Sequence, residues 1–158
     1  EEKPLGTAGP LSLLNGLDST FLVTNGDILT TLDLRNLLDF HKSQGGIATI
    51  AVHRRQVKID LGVVQWDQNY QISGYIEKPT YDYTVSMGIY IFEPIVMKYI
   101  LFNEYLDFPD LVLKMISAGE KINGYAFDGY WMDLGRPDDY TQAVEDFTSM
   151  RTQFLPEE

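Results

Sequence analysis

The sequence predicts an α/β domain in which a mixed, mostly parallel sheet is flanked by helices and carries a β-hairpin insertion. Three observations point there. The apolar, β-favouring run Phe21–Val23 is stopped by Asn25-Gly26, followed by an amphipathic stretch over Asp33–Ser43, then by a second apolar run over Ile47–Val52. That is the β-α-β order of layered α/β proteins. Leu61–Trp66 and Tyr70–Ile76 flank the polar Asp67-Gln68-Asn69 and read as a hairpin with a short turn. Val85–Phe92 is a further strand, after which helical periodicity returns behind Pro94, Phe108 and Pro137.

Each element has a local cause. Glu1–Pro10 is a loop punctuated by two glycines and two prolines. Thr7 is placed to cap a short helix to which Leu11, Leu13, Leu14 and Leu17 supply contacts. Gly6-Thr7-Ala8-Gly9 lets backbone approach a flat ligand or a phosphate, although a helix-cap loop explains it as well. Asp33 opens the first long helix, on which Leu34, Leu37, Leu38 and His41 recur at helical spacing, and Gly45-Gly46 ends it. His41 reads as a helix-surface residue. His53-Arg54-Arg55 reads as a solvated strand end more readily than as a phosphate contact. Gly88 within its strand marks a close approach of backbone or ligand. Helices are expected over Pro94–Leu101 and Phe108–Ala118, and a short strand over Ile122–Phe127. Pro137 at the first helical position launches a last helix carrying Tyr140, Ala143, Val144 and Phe147. Residues 1–150 read as one domain and 151–158 as a tail or the start of a linker.

Composition narrows the function. A chain of 158 residues, 44% hydrophobic and 22% charged, can bury a core. With 12 basic against 23 acidic residues and a net charge of −11, nucleic acid is excluded as a partner. Polyanionic small molecules are not, because a few cations or a metal in one cleft can outweigh the overall sign. Absence of cysteine removes thiol chemistry and Cys-zinc sites, and two histidines are too few for a His-rich metal site. No apolar run reaches membrane-span length and no signal-peptide pattern opens the chain, so a cytoplasmic protein without a membrane partner is expected. The chain starts at Glu1 inside a loop and reads as part of a longer protein.

Asp27 stands out. In open α/β sheets the ligand crevice lies beyond the carboxyl ends of the strands, and Thr20–Asp27 delivers a carboxylate there. It is either a turn acid or a hard-oxygen ligand of the kind Mg²⁺ prefers. Tyr130–Pro137 brings a second acid, Asp133, to another strand end. Glu77-Lys78-Pro79 sets a carboxylate beside an ammonium, a pair suited to sugar hydroxyls and phosphate.

Taken in order, five motifs resemble the sugar-phosphate nucleotidylyltransferases. They are Pro4-Leu5-Gly6-Thr7-Ala8-Gly9, Asn25-Gly26-Asp27, Glu77-Lys78-Pro79, Gly88-Ile89-Tyr90, and the run Trp131-Met132-Asp133-Leu134-Gly135-Arg136-Pro137-Asp138-Asp139-Tyr140. The resemblance runs from Glu1 to about Phe147 and is nearest the mannose-1-phosphate guanylyltransferase branch. It implies a truncated nucleotidyltransferase fold with a Rossmann-like sheet. It also implies nucleotidyl transfer from a nucleoside triphosphate, GTP in that branch, to a sugar 1-phosphate such as mannose 1-phosphate, with release of pyrophosphate. By the same resemblance, Gly6 and Thr7 lie against the nucleobase, and Asp27 and Asp133 hold Mg²⁺. Glu77 grips the sugar, Lys78 pairs with the sugar phosphate, and Gly88 leaves room for the sugar. The catalytic set is then Asp27, Lys78 and Asp133. Phosphoryl chemistry of this kind needs positioning and charge neutralisation more than a strong base, so scarce histidine is no obstacle.

The chain departs from the family in two places. Ser86-Met87 stands where many relatives carry Asn before Gly-Ile-Tyr. The glycine-rich phosphate loop with a basic residue and the Pro-Lys-Pro segment that open the family are absent, so residues 1–158 alone are expected to be inactive, with a free sheet edge that leaves homo-oligomerisation open. The alternatives are a non-catalytic nucleotidyltransferase-like assembly or regulatory module, and a plain small-molecule-binding α/β domain. Retention of Asp27, Asp133 and Lys78 together favours the enzyme.

Overall fold

The computed structural model describes residues 3–155; Glu1, Glu2 and residues 156–158 lie outside the described residues. The central sheet holds β1 (Phe21–Thr24), β6 (Thr80–Phe92), β3 (Ala48–Lys58) and β7 (Ile122–Phe127), in that spatial order. β6 runs antiparallel to both β1 and β3, while β7 is parallel to β3. Strands β1, β3 and β7 therefore share one direction, as a mostly parallel sheet requires. The sheet is mixed, as expected: β6 sits between β1 and β3, so the β3–β7 pairing is its parallel ladder.

The hairpin expected as an insertion forms its own two-stranded sheet, β4 (Val63–Trp66) with β5 (Ile72–Ile76). Asp67 closes its turn by accepting the amides of Asn69 and Gln71. A third small sheet pairs β2 (Ile28–Thr30) with β8 (Trp131–Asp133).

Alternation along β6 builds two cores, because successive side chains leave opposite faces of a strand. Tyr90 and Phe92 join Ala48, Val96, Leu111 and Met115 beneath α2 (Phe108–Ser117). Tyr90 and Phe108 stack with centroids 4.5 Å apart. Met87, Ile89 and Ile91 join Leu37 and Ala51 under α1 (Leu34–Gln44). Asp33 caps α1 by accepting from the Arg35 and Asn36 amides, and Gly45 ends it at φ 64°.

Several local expectations change. His41 is not on the surface but 1% exposed. Its Nδ1 lies 2.7 Å from Thr49 Oγ1 and its Nε2 3.0 Å from Glu93 Oε1, and these bonds offset the cost of burying a polar ring. Thr7 does not cap the turn that follows it, a 3-10 helix over Gly9–Leu13. Its hydroxyl instead accepts the Phe108 amide at 2.9 Å and so caps α2. Pro94–Tyr99 is likewise a 3-10 helix, shorter than the stretch expected to reach Leu101. On α3 (Pro137–Ser149) only Ala143 is buried; Tyr140 and Val144 are exposed. The tail continues as α4 (Arg151–Phe154), and Phe154 packs edge-on against Tyr130 with centroids 5.2 Å apart. No helix among the described residues is long and apolar enough to cross a membrane.

Candidate functional site

Two acid-bearing segments pair through their backbones in the β2–β8 ladder. β2 and β8 run antiparallel with Ile28 opposite Asp133, and the Leu134 amide donates to the Asp27 carbonyl at 2.8 Å. Asp27 and Asp133, distant in sequence, thus stand on adjoining rungs. Both are exposed, and Asp133 Oδ1 accepts from the Gly135 amide at 2.9 Å, a local turn that fixes its carboxylate.

A bulge in β6 secures both segments. Between the pairs Ile50–Tyr90 and Val52–Ser86 the register slips, leaving Met87, Gly88 and Ile89 opposite Ala51 alone. Gly88 takes φ +73°, outside what other residues adopt readily. Two consecutive carbonyls of the bulge are then spoken for. Met87's accepts the Trp131 indole N–H at 3.1 Å, two residues before Asp133. Gly88's accepts the Asn25 amide at 2.9 Å, two residues before Asp27. A Cβ at Gly88 would come within 2.7 Å of the Asn25 side chain and 3.1 Å of Ile28. The close approach foreseen at this glycine is made by the end of β1 itself.

The other expected residues fall in two places. Glu77 and Lys78 are exposed on the connection from β5 to β6, and neither forms an ion pair among the described residues. Lys78 adopts φ 44°, a left-handed conformation that costs a non-glycine residue about 1 kcal/mol. Tyr70 and Asn103, also exposed, share this conformation at φ 64° and φ 57°. Gly6 and Thr7 lie against the start of α2. A Cβ on Gly6 would stand 2.7 Å from the Leu106 carbonyl oxygen, and the Thr7 amide donates to Asp107 Oδ1 at 2.9 Å. With Tyr105 donating to Asp107 Oδ2 at 2.6 Å, the Asp107 carboxyl is held below the usual carboxylate range, by the Tyr105 phenol first and the Thr7 amide second.

The sequence reading names Asp133 and takes His53-Arg54-Arg55 for a solvated strand end, but it does not foresee the cavity that they border together. β3 does not end at Val52 but runs on to Lys58, so His53-Arg54-Arg55 lies within a strand rather than at its end. A space of about 580 Å³ opens between this extension and the start of α3, bordered by residues 53–56 of β3 and by Trp131, Asp133, Arg136 and Asp139. Tyr130 pins α3 to β8: its hydroxyl donates to Asp146 Oδ2 at 2.6 Å, and burial together with that carboxylate pushes the phenol up to about 12.

Two carboxylates suit Mg²⁺, a hard cation that keeps several waters and uses one or two protein carboxylates plus substrate phosphates. No group of three or more His, Cys, Asp or Glu among the described residues is placed to hold a metal.

Comparison with known proteins identifies the family. The nucleotidyl transfer family, described as "Nucleotidyl transferase", matches residues 1–150. Mannose-1-phosphate guanyltransferase of Hypocrea jecorina is 34% identical over 152 residues, covering 89% of this chain and 40% of that protein. A UTP–glucose-1-phosphate uridylyltransferase of Synechocystis is 36% identical over 153 residues, covering 90% and 39%. The chain therefore spans about 40% of the length of such relatives. A solved structure from Bacillus anthracis, titled as a putative glucose-1-phosphate thymidylyltransferase with sucrose, superposes with TM-score 0.66 at 22% identity. That match covers 92% of this chain and 62% of the other.

Proposed function

This chain belongs to the nucleotidyl transferase family, and we propose that it supplies the sugar-phosphate half of a site that transfers a nucleotidyl group from a nucleoside triphosphate to a sugar 1-phosphate, releasing pyrophosphate. The observation that carries the reading is the β2–β8 ladder, which sets Asp27 and Asp133 on adjoining rungs. GTP and mannose 1-phosphate are the proposed substrates, on the strength of the guanyltransferase relatives.

Each residue then has a task. Asp27 and Asp133 hold Mg²⁺, whose chemistry when bound is to neutralise charge on the phosphates. The strained Lys78 aims its ammonium at the phosphate of the sugar 1-phosphate, and Glu77 accepts from sugar hydroxyls. Gly6 and Thr7 offer backbone to the nucleobase. The attacking oxygen already belongs to a phosphate and needs no base to remove a proton. The residues therefore orient the two phosphates in line and offset their repulsion.

The test is an assay of pyrophosphate release by the full-length protein with GTP, mannose 1-phosphate and Mg²⁺. Turnover that requires all three and disappears in Asp27→Ala supports the reading. A full-length protein that binds both substrates and never releases pyrophosphate would instead support a non-catalytic assembly or regulatory module.

A further inference from the structure

We propose that the cavity between the β3 extension and the start of α3 is a phosphate site, built by Arg55 and Arg136 with the leading amides of α3. Binding of a phosphate group there stands on the geometry alone; its assignment to a substrate rests on the nucleotidyl-transfer reading.

The wall of the cavity comes from a strand that outruns its neighbour. β7 ends at Phe127, opposite His53, so Arg54–Lys58 is paired on the β6 side only. Alternation sends His53 and Arg55 to one face and Arg54 and Gln56 to the other. The second face is satisfied: Gln56 donates to Asp82 Oδ1 at 3.0 Å, and Arg54 Nε stands 3.8 Å from the same carboxylate. Residues from both faces border the cavity, and of these His53 and Arg55 are the pair that Asp82 does not engage. His53 is anchored there, with Nδ1 donating to the Phe127 carbonyl at 2.8 Å and its ring centroid 5.5 Å from that of Trp131.

Across the cavity Arg136 precedes α3. The first helical bond is donated by the Tyr140 amide to the Arg136 carbonyl at 3.2 Å, leaving the Asp138 and Asp139 amides ahead of it outside the helical ladder. No side chain caps this end. Among the described residues neither Arg55 nor Arg136 forms a salt bridge. Two guanidinium groups thus stand on one cavity in a chain of net charge −11. A planar guanidinium binds phosphate through paired N–H bonds, and a helix start adds amides and a favourable dipole. Asp133 and Asp139 border the same space and repel an anion. A cation at Asp133 reverses that, so phosphate binding here strengthens with Mg²⁺.

The experiment is calorimetric titration of the full-length protein with pyrophosphate, with and without Mg²⁺. Arg55→Gln and Arg136→Gln should each weaken binding about ten- to a hundredfold, the loss of one charged hydrogen-bonding partner. Lys42→Gln removes one positive charge from the last turn of α1, away from the cavity, and should change it by about twofold or less. Equal losses in all three variants, or none in the first two, would overturn the site. Displacement of pyrophosphate by a non-hydrolysable nucleoside triphosphate or by a sugar 1-phosphate supports the site and says which substrate brings the phosphate. Displacement by neither overturns its assignment to a substrate. Because binding is read without turnover, an inactive protein whose pyrophosphate affinity still depends on Arg55 and Arg136 supports this site and counts only against nucleotidyl transfer.

Discussion

Asn25 donates its backbone amide to the carbonyl of Gly88 at 2.9 Å, and its side chain fills the space that a Cβ on Gly88 would need. The adjoining carbonyl, that of Met87, holds Trp131. One bulge therefore sets the position of both acid-bearing segments. Gly88→Ala must accept φ +73° and displace Asn25, so it should lose about 1–3 kcal/mol of stability. Its turnover should fall further than Tm accounts for, because Asp27 moves with Asn25. Urea unfolding alongside pyrophosphate release checks both; a stable variant with unchanged rate would remove the bulge from the account.

The buried His41 makes a second prediction. His41→Leu leaves the Thr49 hydroxyl, itself 0% exposed, without its partner and takes one from Glu93. A loss of about 2–3 kcal/mol is expected. Adding Thr49→Val should recover part of it, since both polar partners are then gone. Chemical denaturation of the single and double variants measures the difference.

Glu93 gives the pH dependence. The Thr20 hydroxyl chiefly, and then His41, hold its carboxyl below the ordinary value, against the opposing effect of burial. The charged form is thus favoured in the folded state. The stability it brings is present above about pH 4.5 and is lost as pH falls through the lower folded value. Thr20→Val should flatten that acid limb. Tm recorded from pH 6 to pH 3 (roughly the span over which a carboxylate titrates) should show a shallower fall in the variant than in the parent.

Much of this architecture was legible in the residues. Asp33, Gly45 and Pro137 mark helix ends by chemistry that acts within one turn, and they lie where expected. The β-α-β order and the hairpin follow from periodicity. What could not be read was pairing over distance. Nothing local says that β6 inserts between β1 and β3, or that Thr7 caps a helix a hundred residues on. His41 looked like a surface residue because its partners, Thr49 and Glu93, come from other elements. Arg55 reads as part of a solvated strand end and Arg136 as part of a motif, because the cavity they border joins two elements distant in sequence. Between Val52 and Val57 stand only His53-Arg54-Arg55-Gln56, so no apolar alternation marks the continuation of β3.

Lys78 separates the two substrates. If its strained backbone aims the ammonium at the sugar phosphate, Lys78→Met keeps the stem and removes the charge. The KM for sugar 1-phosphate should rise about tenfold or more, with the nucleotide KM within about twofold of the parent. The reverse pattern would place the lysine on the nucleotide.

The central claim is that Asp27 and Asp133 act as one unit. Steady-state pyrophosphate release by the full-length protein, for Asp27→Ala, Asp133→Ala and the double variant, tests it most directly. Both acids are exposed, so each variant should unfold within about 1 kcal/mol of the parent. Each single change should cut turnover by about 10³-fold or more, and the double variant should be no slower than the worse single, as groups serving one metal are not additive. Parental turnover in either single variant, or losses that multiply in the double, would contradict it.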